Sequence, residues 1–142
     1  MFRHLYDKPI SMRGSILGFP ELNEFVMLPI DDSATITPFA YLQSSTEEEV
    51  GFLVADPFQF CADYEFKIEE QDIQDIEATT PEEVVVMAIV RIGDPFDTST
   101  INLMAPLVIN VDKLLGRQVV LSSDKPYTTK MPIGSPVKEG DR

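Results

Sequence analysis

Val84-Val-Val-Met-Ala-Ile-Val-Arg-Ile92 is the most strand-like run in the chain. It is apolar at consecutive rather than alternating positions, which fits a strand covered on both faces, so it is expected at the centre of a sheet. Immediately upstream, Thr80-Pro-Glu-Glu83 offers a capping residue, a proline at the first helical position and a glutamate at the third, the pattern of a single helical turn. Downstream, Gly93-Asp-Pro-Phe-Asp-Thr-Ser99 is loop by composition, and Thr100-Ile-Asn-Leu-Met-Ala-Pro-Leu-Val-Ile-Asn-Val111 resumes extended structure. Pro106 has no N–H to give a ladder, so the strand there either lies at an edge or is split by a bulge. Asp112-Lys-Leu-Leu-Gly-Arg117 reads as a tight connection, with Gln118-Val-Val-Leu121 as the returning strand.

Toward the N-terminus the same grammar repeats. Glu24 to Ile30, Phe39 to Ser44 and Val50 to Ala55 are short and rich in aromatic or β-branched residues, with the polar breaks Asp31-Asp32-Ser33 and Ser45 to Glu49 between them. Asp56-Pro57 closes the third of these and opens a helical turn through Asp63. Tyr64-Glu-Phe-Lys-Ile68 alternates, which predicts a half-buried strand, and Glu69 to Glu77 predicts a short helix with Ile73 and Ile76 inward. Eleven prolines leave little room for long helices. The expected fold is mostly β: eight to ten short strands in a small antiparallel β-barrel-like or sandwich domain with one or two short helices.

The chain has 142 residues, the size of one domain, expected to span residues 1–124 with a polar, loosely held tail over 125–142. With 24 acids against 11 bases the formal net charge is −13, which repels phosphate backbones and anionic lipid surfaces. Direct nucleic-acid or membrane binding is therefore disfavoured, and a basic partner is the natural complement. No segment has the apolar length of a membrane span or the form of a signal peptide, so a cytoplasmic location is expected. One Cys (Cys61) and one His (His4) leave no basis for a disulfide or a zinc cluster, and no metal or cofactor is expected.

Nine acids between Asp63 and Glu83 stand against the single base Lys67. Two readings fit: a solvated face that keeps a β-rich protein soluble, or a docking patch for a basic protein. A carboxylate-dependent hydrolase and a small-ligand-binding β-barrel are the competing classes; an enclosed apolar pocket with converging carboxylates would favour the enzyme, and an open acidic face with an apolar seam the protein binder. No spacing singles out catalytic residues, and no nucleophile or phosphate-binding motif is present. His4 reads as exposed and Cys61 as a buried structural thiol. Phe58, Phe60 and Tyr64 form an aromatic cluster that either packs on the core or leaves a ring exposed as an anchor. If the Pro106 strand is an edge, it could accept a segment of another protein.

The ordered set Leu17-Gly-Phe-Pro-Glu-Leu22, Phe25-Val-Met-Leu-Pro29, Leu42-Gln-Ser44, Val54-Ala-Asp-Pro-Phe58, Asp63-Tyr64-Glu65, Asn102-Leu-Met-Ala-Pro-Leu-Val-Ile-Asn110 and Gln118-Val-Val-Leu121 resembles the bacterial flagellar assembly factor FliW family over roughly residues 1–125. The resemblance implies a monomeric, non-catalytic cytoplasmic binder that partners flagellin and, alternatively, the RNA-binding translational repressor CsrA. Sequestering the repressor would relieve translation of flagellin message, by a competitive or an allosteric route. On that basis the acids Asp63, Glu65, Glu69, Glu70 and Asp72 are candidates for the basic partner. The exposed parts of Phe58, Phe60, Ile101, Leu103 and Leu107 are candidates for an apolar groove that receives flagellin.

Overall fold

Frequent prolines and polar turns hold the strands to between two and eight residues, and a short strand buries its apolar face only by curling with its neighbours into a closed sheet. The computed structural model describes residues 5–30, 38–122 and 124–133. Its nine strands are β1 (Pro9–Ser11), β2 (Glu24–Leu28), β3 (Phe39–Ser44), β4 (Gly51–Ala55), β5 (Val84–Arg91), β6 (Thr100–Ile101), β7 (Leu107–Asn110), β8 (Leu115–Gln118) and β9 (Met131–Pro132). One α-helix, α1 (Glu70–Asp75), and 3-10 turns at Pro57–Gln59, Pro81–Glu83 and Phe96–Thr98 complete the fold among the described residues.

The strand order β4-β3-β2-β1-β8-β7-β5 closes through β4 on β5, giving a seven-stranded barrel, with β6 and β9 extending from β5. All pairings are antiparallel except β1 on β8. β5 holds the closure together: Val84 to Met87 pair with β7, Ala88 to Val90 with β4, and Val90 and Arg91 with β6. The run expected at the centre of the sheet is there, flanked by β4 and β6 at one end and β7 at the other, with Met87, Ala88 and Val90 buried and Val84 to Val86 half-buried. Met87 belongs to the barrel interior with Phe25, Met27, Leu42, Leu107 and Ile109, whereas Ala88 and Val90 join a second cluster with Tyr64, Ile76, Ile101 and Leu103.

That second cluster exists because residues 56–79 and the segment after β8 lie across the outside of the barrel, so β7 is buried along its whole length. The family of expectations built on Pro106 resolves as a split: β6 and β7 are separate strands, and the intervening backbone loops out. Asn102 Oδ1 accepts from the N–H groups of Met104 and Ala105 at 3.0 Å each, and the Pro106 carbonyl accepts from Val119 N at 3.0 Å. The edge reading fails, since β7 lies between β5 and β8 and β6 lies between β5 and β9.

Three further expectations differ from the structure. Tyr64 to Ile68 alternates in burial as predicted, with Tyr64 buried and Glu65 and Lys67 exposed, yet it joins no ladder among the described residues. The returning strand is Leu115–Gln118, earlier than the expected 118–121. Residues assigned to a loose tail from Lys125 carry β9, which pairs with β6, and Leu103 N donates to the Thr128 carbonyl at 3.0 Å, so the packed region runs on to Ile133. The turn reading at Asp31-Asp32-Ser33 and the exposure of His4 lie outside the described residues.

Candidate functional site

The acidic run belongs to a strap, residues 56–83, laid over the outer face of β5 and β7. It begins where Asp56, buried at the end of β4, caps the turn Pro57–Gln59: its carboxylate accepts from Phe58 N at 3.1 Å. Pro57 sits at the first position of that turn, where its missing N–H costs nothing. Tyr64 then fastens the extended stretch. Its hydroxyl donates to the Leu103 carbonyl at 2.7 Å, and its ring meets Tyr127 edge-on at 4.6 Å and Phe66 at 5.4 Å. Burial away from solvent, with Tyr127 and Cys61 nearby, pushes the phenol well above its ordinary range and keeps it a donor. Glu65 N donates to the Tyr127 hydroxyl at 2.9 Å, a side-chain substitute for the missing ladder.

α1 is pinned more heavily. Ile76, fully buried, anchors its end, and Asn110 Nδ2 donates to the Ile76 carbonyl at 2.9 Å. The helix stops with Glu77 in the left-handed region (φ 56°), while Glu77 N donates to Gln74 O at 3.0 Å and Ala78 N to Ile73 O at 3.1 Å, the paired bonds of a Schellman ending. Arg117 from β8 reaches Asp72 at 2.8 Å and Asp75 at 3.4 Å, and Arg13 and Lys113 lie 3.7 and 3.9 Å from Glu77. Glu83 turns back to accept from Thr79 N, Thr80 N and Thr79 Oγ1 at 2.6, 3.0 and 3.1 Å, and these bonds hold its carboxyl below the usual carboxylate range.

The acids therefore divide into two sets. Asp72, Asp75, Glu77 and Glu83 serve the fold. Glu65, Glu69, Glu70 and Glu82 are exposed and pair with no base among the described residues, and Asp63, also exposed, accepts only from the Cys61 thiol at 3.4 Å. Of the five acids chosen from sequence, four point to solvent and Asp72 is engaged by Arg117. Cys61 is half-exposed and not buried as expected; desolvation, then the Asp63 hydrogen bond, pushes its thiol up, which keeps it protonated and weakly nucleophilic.

The apolar candidates divide as well. Phe58 is 42% exposed and Phe60 half-buried against Phe39, whose ring also meets Phe96 at 5.7 Å. Ile101, Leu103 and Leu107, expected to be partly exposed, are 0%, 2% and 0% exposed and belong to the core, because the Pro106 segment is interior to the sheet and not an edge. A groove of about 500 Å³ opens elsewhere: between Phe66, Lys67 and Ile68 on one side, Ile73 and Ala78 of the helix and its exit, and Thr79 to Pro81, Val84 and Val86 on the other. No carboxylate lines it. Among the described residues no cluster of His, Cys, Asp or Glu is arranged to hold a metal ion, and no helix is long and apolar enough to cross a membrane.

The FliW protein family model matches residues 4–133. The chain belongs to the FliW family. It is similar to the flagellar assembly factor FliW of Bacillus licheniformis, 44% identical over 128 residues that cover 90% of this chain and 87% of that protein. The flagellar assembly factor FliW of Bacillus subtilis is 40% identical over the same coverage. A crystal structure of the flagellar assembly factor FliW matches with a TM-score of 0.81 at 35% identity, covering 89% of this chain and 86% of that one.

On this FliW-family barrel, two surface features escaped the sequence. Phe96, 46% exposed, extends the Phe58–Phe60 aromatic surface, but it lies in a turn on the far side of β5, so only the closure of β4 on β5 brings them together. The groove was hidden for a different reason: Ile68, Ile73, Val84 and Val86 read as ordinary core positions, and only the absence of a ladder between Tyr64–Ile68 and the barrel leaves them half-covered.

Proposed function

We propose that this chain is a flagellar assembly factor that acts without catalysis, in the cytoplasm, by mutually exclusive binding of flagellin and the repressor CsrA. The supporting observation is the division of the strap's acids. Among the described residues four glutamates and Asp63 face solvent and form no ion pair, although Lys67 and Lys125 share the surface around Glu65 and Glu69, so an approaching basic protein meets a net negative surface and not carboxylates fully neutralised from within. A solubilising face alone would not need the acids to be mounted on a strap fixed by Tyr64, Asn110 and Arg117. The hydrolase reading receives no support from the groove, whose walls carry no carboxylate.

Flagellin segments that fold as amphipathic helices need an apolar surface, and the exposed part of Phe58 with Phe60 is the candidate. The test is a titration of the purified protein with CsrA and with a flagellin C-terminal segment at low and high salt. Glu69→Lys/Glu70→Lys should weaken CsrA binding about ten-fold or more at low salt while sparing flagellin, and Phe58→Ser should do the reverse. Unchanged CsrA affinity in the charge-reversed protein would refute the assignment.

A further inference from the structure

We infer that the groove between the strap and β5 is the apolar anchor point for the basic partner, so that the acids steer and the groove holds. The inference rests on the function proposed above and adds the contact that gives the complex its lifetime. Ile68, Ile73, Val84 and Val86 are half-buried, neither sealed in the core nor spread on an open surface, and they face a space of about 500 Å³.

Charge complementarity specifies the occupant. Ile68 runs directly into the exposed Glu69 and Glu70, and Pro81 into the exposed Glu82, so both walls continue into unpaired carboxylates. An inserted segment must combine apolar side chains, which fill the groove, with lysines or arginines on either side, which meet those acids and lay their methylene stems along the apolar walls. A small ligand fits the site less well. Thr79 N, Thr79 Oγ1 and Thr80 N are spent on Glu83, which leaves the exposed ammonium of Lys67 as the main wall donor to orient one; that single base is outnumbered by Glu69, Glu70 and Glu82 at the groove's margins, so the net field still favours a basic segment. The groove's Phe66 is joined through Tyr64 to Phe58, at ring-centroid distances of 5.4 and 5.7 Å, so the two partners would meet adjoining parts of one strap and exclude each other there.

Ala78→Leu tests this by filling the groove from its own wall. In the full chain, titrated with CsrA, the variant should lose about ten-fold in affinity at both low and high salt, whereas Glu69→Lys/Glu70→Lys should lose most at low salt and converge on the parent as salt rises. Flagellin affinity should stay unchanged in Ala78→Leu, which also reports that the variant is folded. Methyl resonances of Ile68, Ile73, Val84 and Val86 in the parent protein should shift on adding CsrA, a readout independent of any substitution. Parental CsrA affinity in Ala78→Leu together with unshifted methyls would overturn the groove and leave the acidic docking intact. Absence of CsrA binding by the parent protein would overturn both.

Discussion

Arg117 illustrates how much a single side chain decides here. Its guanidinium gathers Asp72 and Asp75, two carboxylates of α1, onto β8, and the same strand's neighbour Lys113 with Arg13 collects Glu77. From sequence, Asp72 and Glu69 are equivalent members of one acidic run. The partner that separates them lies 45 residues away from Asp72, beyond the reach of any local pattern. Arg117→Ala should lower stability by about 1 kcal/mol, the scale of a partly exposed ion pair, and should loosen α1 first. Amide hydrogen exchange checks this by showing faster exchange at Ile73 and Ile76 than at β3. Glu83 gives a pH signature of known sign. Its carboxyl is held below the usual range by three donors, so its contribution is complete above the ordinary carboxylate pKa and is lost as pH falls through the lowered folded value. Thermal unfolding across acid pH should therefore show the parent losing its advantage over Glu83→Gln as the solution becomes more acid, with the difference constant at neutral pH and above.

At the scale of elements, the strands with enough residues to show a pattern were legible. β3 occupies Phe39–Ser44 as expected, and β5 ends one residue short of the predicted run. β1 and β9, three and two residues long, are too brief for any periodicity to register, and both depend on partners distant in sequence. Tyr64 to Ile68 shows the opposite failure. Alternation correctly reported one face in and one face out, but alternation describes burial and says nothing about whether a neighbouring backbone is within ladder distance. The strap keeps its inward face through Tyr64 and Ile76 instead. Ile76→Ala, which deletes a fully buried side chain and leaves a cavity beneath α1, should cost about 2–5 kcal/mol. Chemical denaturation measures it, and a value near zero would mean that α1 is not packed on the barrel as described.

For the whole molecule, the mostly β class followed from many short strands and few helical stretches, whereas the choice of a closed barrel over a sandwich came only with the pairing of β4 on β5; the FliW resemblance came from motifs that lie mainly on β2, β4 and the β6–β7 segment. The placement of candidate contact residues was only half legible. Charge is written into the sequence directly, so the exposed glutamates were found; exposure of apolar residues is a property of closure, so Ile101, Leu103 and Leu107 were misplaced and the groove was missed. A chain of net charge −13 attracts partners of opposite sign, and in the proposed function the strap is the rigid mounting that turns this general attraction into a defined site. The central claim is that this surface takes CsrA and releases it to flagellin. Fluorescence anisotropy of a labelled flagellin-message leader bound to CsrA tests it in one titration: adding this protein should release the RNA, and adding flagellin afterwards should restore the bound signal. An anisotropy that stays at its RNA-bound value when this protein is added in excess would contradict the account.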